Sequence, residues 1–284
     1  MTMCAVGILC DRVRVEETEP LEALRLAGLP AETIPPTAAP LPIPPEGAAE
    51  SPFRRCGLLL DRCRDRTSAS FLMSIAGDFG LPVISGGVAA TGNRLDVARV
   101  LSRAGIPRPA SLLASSEEAG LSALRTLGYP ATLFSLSPSK HPQPILDEDI
   151  AESLLEHRHT LLAPAARTML VQAGSPAETE IAAVVVVDGV AVASAAAGRQ
   201  ALREQNVMRL AEDAARALGA NMVGVHIAER DGQLVIWDID PVPDFRGMVL
   251  TGPLAVGSAV ATLARTLSGP GAEQEAERDV ALSV

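Results

Sequence analysis

Two aspartates, Asp238 and Asp240, stand at the end of an apolar segment, and their chemistry is the most distinctive in the sequence. On a β-strand, residues i and i+2 point to the same face, so the two carboxylates would lie side by side. Buried carboxylates on one face must pair, take up protons or bind a cation. Mg²⁺ commonly joins one or two such groups to substrate phosphates. The pattern alone nevertheless favours the simpler interpretation, two carboxylates that face solvent, because Asp-x-Asp pairs are common.

These aspartates are predicted to lie in an antiparallel sheet. Asp188-Gly189 and Asp231-Gly232 are strong hairpin signals between apolar segments. The strands expected in this part of the chain are residues 168–172, 181–187, 190–197, 223–228 and 233–239, and the helices are 203–218 and 256–267.

The first part of the chain alternates strands with helices, which is typical of a parallel sheet. We expect strands at 3–10, 56–60 and 81–85 and helices at 19–27 and 68–79, with a proline-rich connection at 35–45. Helices at 96–104, 115–128 and 147–157 and a strand at 131–136 follow. The predicted fold class is therefore α/β and α+β, with an N-terminal parallel layer and a C-terminal antiparallel sheet. The predicted domains are 1–88, 89–165 and 166–268, followed by a disordered tail at 269–284.

The composition excludes some classes of function. The 284 residues carry a net charge of −10, which argues against nucleic acid as a partner. Aromatic residues make up only 2%, so a binding site cannot depend on extensive aromatic stacking. No apolar run reaches membrane-spanning length and no signal-peptide pattern is present, so we expect no membrane association and a cytoplasmic location with reduced cysteines.

Six short motifs, in matching order and spacing, resemble those of the ATP-grasp ligases. Within that superfamily the likeness is to the LysX/RimK group, which joins an amino acid to a carrier protein or peptide, and it runs from about residue 7 to residue 267. The motifs are Cys10-Asp11-Arg12-Val13-Arg14, Leu60-Asp61-Arg62-Cys63, Gly105-Ile106-Pro107-Arg108-Pro109, Gly128-Tyr129-Pro130, Asp231-Gly232 to Asp240-Pro241, and Asp244-Phe245-Arg246-Gly247.

The resemblance implies a three-domain ATP-grasp fold, with ATP and Mg²⁺ as cofactors and an acyl-phosphate intermediate. It places Arg94, Lys140 and Gln172 at the nucleotide and Asp238 and Asp240 at the metal. Arg246 and Arg199 are the candidate catalytic residues. Arg199 and Arg203 could meet a substrate carboxylate, although two arginines at helical spacing are more often a solvated face.

The sequence departs from the group's pattern at the positions that hold the nucleotide. Arg94 replaces the first lysine and Phe134 the second, and the loop 135–142 has two prolines where a glycine-rich phosphate loop is expected. Ala173 replaces the acidic hinge residue. The remaining departures are Ala182 for an arginine and His226 for a metal-binding aspartate, and we expect His226 to be a core residue.

These departures leave two main interpretations. In the first, the protein is a weakly active or non-catalytic paralogue that acts by binding an acidic amino-group carrier protein, an amino-acid intermediate or an active ligase paralogue, as a homo- or hetero-oligomer. In the second, it is an active ATP- and Mg²⁺-dependent ligase whose site is rebuilt from Arg94, Lys140, Asp238 and Asp240. A domain with a purely structural role is a third and weaker interpretation.

Overall fold

A computed structural model describes most of the chain. The described residues are 4–37, 51–87, 92–136, 141–176, 181–196, 204–252 and 254–268. Several expectations lie outside them: most of the proline-rich connection, Lys140, Arg199, Arg203 and the tail at 269–284.

The N-terminal layer is a parallel sheet, as the alternation of strands and helices predicted. Its elements are β1 (Cys4–Leu9), α1 (Val15–Leu26), β2 (Ala31–Ile34), a short 3-10 helix (Pro52–Arg55), β3 (Cys56–Asp61), α2 (Arg66–Asp78) and β4 (Val83–Ile84). The strands pair in the order β2-β1-β3-β4. Helix α1 begins before its predicted start, and Glu17 accepts the Arg14 N–H at 2.9 Å, which satisfies a backbone donor at the start of the helix.

The central part forms an antiparallel sheet with helices packed on it. Its elements are α3 (Arg94–Arg103), β5 (Ser111–Ala114), α4 (Glu117–Leu127), β6 (Ala131–Ser135), β7 (Gln143–Ile145), α5 (Glu148–Leu161), α6 (Pro164–Arg167) and β8 (Met169–Ala173). The strand order is β5-β8-β6-β7. Strand β8, at the start of the predicted third segment, thus hydrogen-bonds within the central sheet.

The last part is a second antiparallel sheet in the order β12-β11-β9-β10-β13. Its elements are β9 (Ile181–Val187), β10 (Val190–Ala196), α7 (Glu204–Leu218), β11 (Met222–Arg230), β12 (Gln233–Asp240), β13 (Val249–Leu250) and α8 (Val256–Ser268). Both predicted hairpin turns form, with positive φ at Asp188 and Gly189 and again at Asp231 and Gly232. Positive φ at both central residues is the turn geometry that matches strand twist.

The N-terminal and C-terminal layers share one core and meet at the end of β12. Helices α1 and α8 pack together, with Leu24 and Val260 fully buried in that core. Gly86, just after β4, lies so close to Pro241 that a Cβ atom there would be 2.8 Å from the Pro241 Cα. Arg62, just after β3, donates to the Pro243 carbonyl, so the ends of β3 and β4 face the end of β12, where Asp238 and Asp240 lie. None of the helices within the described ranges is both long and apolar enough to cross a bilayer.

Candidate functional site

Arg94 and Asp238 form an ion pair that joins the central part to the last sheet. Arg94 is the first residue of α3, and Asn93 caps that helix by accepting the Leu95 N–H. The Arg94 Nε and Nη2 donate to the two carboxylate oxygens of Asp238 at 3.1 and 2.9 Å. Only 8% of the Arg94 side chain and 19% of the Asp238 side chain are exposed. This bidentate geometry is the strong form of a guanidinium–carboxylate contact.

The expected phosphate-binding cation and an expected metal ligand are thus bound to each other. A metal ion at Asp238 would compete with the guanidinium of Arg94 for the same oxygens. Asp240 accepts the Val242 N–H through Oδ1 at 2.9 Å. Within the described part of the chain, no three His, Cys, Asp or Glu side chains are grouped so that they could hold a metal ion. Two carboxylates suffice for Mg²⁺ only when substrate phosphates and water complete the coordination, so the metal role of both aspartates stays a prediction.

Phe134 lies against this ion pair on β6. Its side chain is 1% exposed and packs with Ala98 and Leu170. The guanidinium carbon of Arg94 is 5.0 Å from the ring centroid, within reach of a cation–π contact. The Arg94 Nη1 also donates to the Ser135 carbonyl at 3.2 Å. A buried phenyl ring therefore occupies the position at which the resemblance places the second lysine.

Gln172 is buried on β8, and its amide is satisfied by the protein itself. Its Nε2 donates to the Trp237 carbonyl at 3.2 Å, and its Oε1 lies 3.5 Å from the Arg108 Nη2 and the Ser111 Oγ. Burial lowers the pKa of Arg108, and the charge of Asp238 opposes that shift. The cavity between Gln172, Arg108 and Trp237 measures about 20 Å³. That volume holds one water molecule and excludes a purine ring.

The alanines at the other two departures offer no polar side chain. Ala173 ends β8, and its carbonyl accepts the Arg230 Nη1 at 2.5 Å. Ala182 is buried on β9, beside Ile227 of β11. Neither position therefore offers a side chain that can hydrogen-bond a nucleotide.

A larger cleft of about 360 Å³ opens beside the ion pair. Its charged and titratable lining residues are Arg64, Arg66, Arg94, His141, His226, Asp238 and Asp240. His226 was expected in the core, but it is half-buried and lines this cleft. It pairs with Asp238 across the hairpin beside a register shift, and such bulges redirect side chains. The cleft thus brings groups of both charges together.

Arg64 and Arg66 are cleft residues that the sequence analysis did not identify. Both follow the carboxyl end of β3, and ligands of parallel sheets bind at that edge. The Arg66 Nη2 lies 2.6 Å from Asp61 Oδ2, so this arginine is held by a buried ion pair. Arg64 pairs with Asp244. Their place after a strand of the parallel layer was the signal that could have identified them.

Arg246, a predicted catalytic residue, is exposed and is absent from the lining of the cleft. Its neighbour Asp244 instead bonds to Arg14 at 2.7 Å and to Arg64. Burial alone would raise the pKa of Asp244, but its contacts with these two arginines outweigh burial and lower it. The structure therefore brings together Arg94, Gln172, Asp238 and Asp240, while the catalytic role of Arg246 stays a prediction.

Comparison with known proteins gives independent evidence on the fold. No protein-family model matches the sequence. A RimK domain ATP-grasp protein from Sphaerobacter thermophilus DSM 20745 is 27% identical, with a TM-score of 0.75 over 92% of this chain and 99% of that one. The ATP-grasp ligase PsnB, solved with a minimal precursor, is 16% identical, with a TM-score of 0.68 over 93% of this chain and 99% of that one.

D-alanine–D-alanine ligase from Bacillus anthracis, solved with ATP, has a TM-score of 0.66 and is 14% identical over 96% of this chain and 99% of that one. All three proteins match along nearly their whole length, as the ordered motifs predicted. The architecture of this chain is therefore that of the ATP-grasp superfamily.

Proposed function

We propose that this chain is a LysX/RimK-like protein of the carboxylate–amine ligase lineage that does not use ATP. In this proposal it binds an amino acid, or the amino-acid-bearing end of an acidic carrier protein, without activating it. The observation that carries the proposal is Phe134, buried beneath the Arg94–Asp238 pair where a phosphate-binding lysine is expected.

Nucleotide binding would require several buried hydrogen bonds and an ion pair to be broken together. A purine would have to displace the bonds of Gln172, since the cavity beside it holds only one water molecule. A triphosphate would have to detach Arg94 from Asp238. Hydrogen bonds to charged groups contribute about 1.5–3 kcal/mol each, so such an opening opposes binding. The Phe134 ring, in turn, supplies neither charge nor a donor.

The larger cleft supports the binding of a zwitterion. Arg64, whose side chain is 45% exposed, can receive a carboxylate, and Asp240 can receive an ammonium group. One Asp240 oxygen is used by the Val242 N–H, and the other accepts no hydrogen bond from the described residues. Groups of opposite charge on the walls of one cleft match an amino acid better than a lone anion.

The decisive experiment follows thermal stability with millimolar Mg-ATP and, separately, with a panel of acidic, basic and neutral amino acids. A ligand at one hundred times its Kd adds about 2.7 kcal/mol of stability. We expect no shift with Mg-ATP and a shift with at least one amino acid that Asp240→Asn removes. Asp213→Asn, at an exposed ion pair on α7, is the matched control and keeps the shift.

The active ligase remains the second candidate, because Asp238 and Asp240 both line the cleft and both carry oxygen ligands. A stabilisation by Mg-ATP that Asp238→Asn abolishes would establish it and refute the first proposal. An active paralogue as partner belongs to the first proposal, and co-purification from the native host tests for it. The first proposal also includes a homo- or hetero-oligomer, and the same co-purification would reveal it.

A further inference from the structure

A second cavity, of about 290 Å³, lies at the carboxyl ends of β1 and β3. Its lining residues are Asp11, Arg12, Arg14, Arg62, Arg64 and Asp65. Arg64 also lines the larger cleft, but Arg12, Arg14 and Arg62 do not. This cavity is therefore a neighbour of the cleft and not a part of it.

Arg62 is the buried residue of this cavity. Its side chain is 0% exposed, and its Nε donates to Glu17 at 3.2 Å. Its Nη2 donates to the Pro243 carbonyl at 3.0 Å, and the guanidinium lies 5.7 Å from the Phe245 ring centroid. Its Nη1 is buried and has no acceptor among the described residues. Buried donors are nearly always satisfied, so this nitrogen calls for an acceptor that the described protein does not supply.

The two aspartates that line the cavity accept hydrogen bonds from backbone N–H groups. Asp11 accepts the backbone N–H groups of Arg64 and Asp65. Asp65 caps α2 through the N–H groups of Thr67 and Ser68. Neither aspartate bonds to Arg62.

The two other carboxylates next to the cavity are also engaged. Glu17 is shared between Arg14 and Arg62, and Asp244 between Arg14 and Arg64.

Arg12 adds an uncommitted cation at the mouth of the cavity. It is exposed and forms no hydrogen bond or ion pair with the described residues. A guanidinium presents a planar fork of donors that matches the oxygens of carboxylates and phosphates. Arg62 Nη1 and the Arg12 guanidinium, neither of which has an acceptor among the described residues, together form the donor set of an anion site on this cavity.

We propose that this cavity binds a small oxyanion, a carboxylate or a phosphate, between Arg62 and Arg12. Because Arg62 also holds the Pro243 carbonyl, the anion would fasten the N-terminal layer to the segment that follows β12. The site shares Arg64 with the larger cleft, but it does not need the proposed function to be correct. Its occupant would tune the stability of the contact between the two layers.

The test titrates the full chain with inorganic phosphate and, separately, with glutarate, and follows the melting temperature at constant ionic strength. We expect saturable stabilisation by one of the two anions, and the stronger ligand identifies the class. Arg12→Gln should raise the apparent Kd at least fivefold without lowering the melting temperature in the absence of anion. Arg103→Gln, an exposed arginine at the end of α3, is the matched control for charge and should leave the Kd unchanged.

Two outcomes would overturn the proposal. In the first, no specific binding is seen: neither anion stabilises the protein, or Arg12→Gln and Arg103→Gln weaken binding equally. Equal weakening would show that binding depends only on the net charge of the protein. In the second, Arg94→Gln raises the Kd while Arg12→Gln does not, which would place the anion in the larger cleft. Arg62→Met is not used, because it would leave Glu17 with one fewer partner in the core.

Discussion

Arg94 and Asp238 are 144 residues apart in the sequence and share two hydrogen bonds, of 3.1 and 2.9 Å. The pair joins the central part to the last sheet, and both residues line the larger cleft. The same guanidinium lies over the ring of Phe134. Arg94 thus contacts both the Asp238 carboxylate and the Phe134 ring, and we treat these three residues as one structural unit.

Replacing Phe134 by alanine tests the structural part of this unit. We expect Phe134→Ala to lower the free energy of unfolding by about 3–5 kcal/mol, because it leaves a cavity under Arg94. Urea denaturation followed by circular dichroism measures the loss. Phe71→Ala, at a phenylalanine that is 65% exposed, is the matched control and should change stability by no more than about 0.5 kcal/mol. An equal, small effect of both variants would show that the Phe134 ring is not tightly packed.

The coupling between Arg94 and Asp238 can be measured by a double-mutant cycle. We expect Arg94→Met and Asp238→Asn each to destabilise the protein, and the double variant to lose about 0.5–3 kcal/mol less than their sum. The reason is that either single change leaves the other charge partly buried without its partner. The same cycle on Arg216 and Asp213, whose side chains are 68% and 56% exposed, should give a coupling below about 1 kcal/mol. Additive effects at Arg94 and Asp238 would contradict the bidentate pair.

The sequence predicted local structure well where turn chemistry decides it. Both Asp-Gly hairpins form where they were expected, since few other residue pairs tolerate positive φ twice in succession. Strand β2 was missed because Ala31–Ile34 is short and has Glu32 and Thr33 at its centre, so it shows no apolar run. Its strand character comes from pairing with β1, which is a tertiary effect.

The candidate site was predicted as a set of residue types but not as an arrangement. The replacement of a lysine by Phe134 was visible in the sequence, whereas its burial against Arg94 depends on how α3 packs on β6. Arg64 and Arg66 were missed because their motif ended at Cys63 and their distance from Asp238 in sequence gave no hint of a shared cleft. The packing of the three sheets against one another decides which side chains come into contact. Local sequence patterns contain no information about that packing.

The buried thiol of Cys10 predicts a loss of stability in alkali. Burial, assisted by the charge of Glu17, raises the pKa of Cys10 to about 11. An unfolded cysteine titrates near 8.5, so the unfolded state releases its proton first as the pH rises. The stability associated with the neutral thiol is therefore complete below about pH 8.5 and is lost progressively toward pH 11.

Urea midpoints for the wild type and Cys10→Ala at pH 7.5, 9 and 10.5 measure this effect. The wild type should lose more stability over the range than Cys10→Ala, although the variant starts lower because of its cavity. Val6→Ala removes a fully buried side chain with no titrating group and should keep the wild-type slope. Equal slopes for the wild type and Cys10→Ala would show that this thiol does not titrate differently in the folded protein.

Gly257 on α8 shows how closely that helix approaches α1. A Cβ atom at this position would lie 2.8 Å from the Glu19 carbonyl oxygen, closer than real Cβ atoms come to backbone. The Gly257 N–H also donates to Glu19 Oε1 at 2.9 Å. Alanine is preferred to glycine in a helix by about 1 kcal/mol, but here the clash would force the two helices apart. We therefore expect Gly257→Ala to destabilise the protein by about 1–3 kcal/mol.

Gly77 provides the opposite case within the same protein. It lies in α2, is exposed, and has no atom within 4 Å of an added Cβ. Gly77→Ala should therefore stabilise the protein by about 0.5–1 kcal/mol, as helix propensity alone requires. Thermal and urea unfolding of the two variants give the comparison directly. If Gly257→Ala also stabilises the protein, helix propensity outweighs the contact between α1 and α8, and that contact is looser than the Glu19 carbonyl distance indicates.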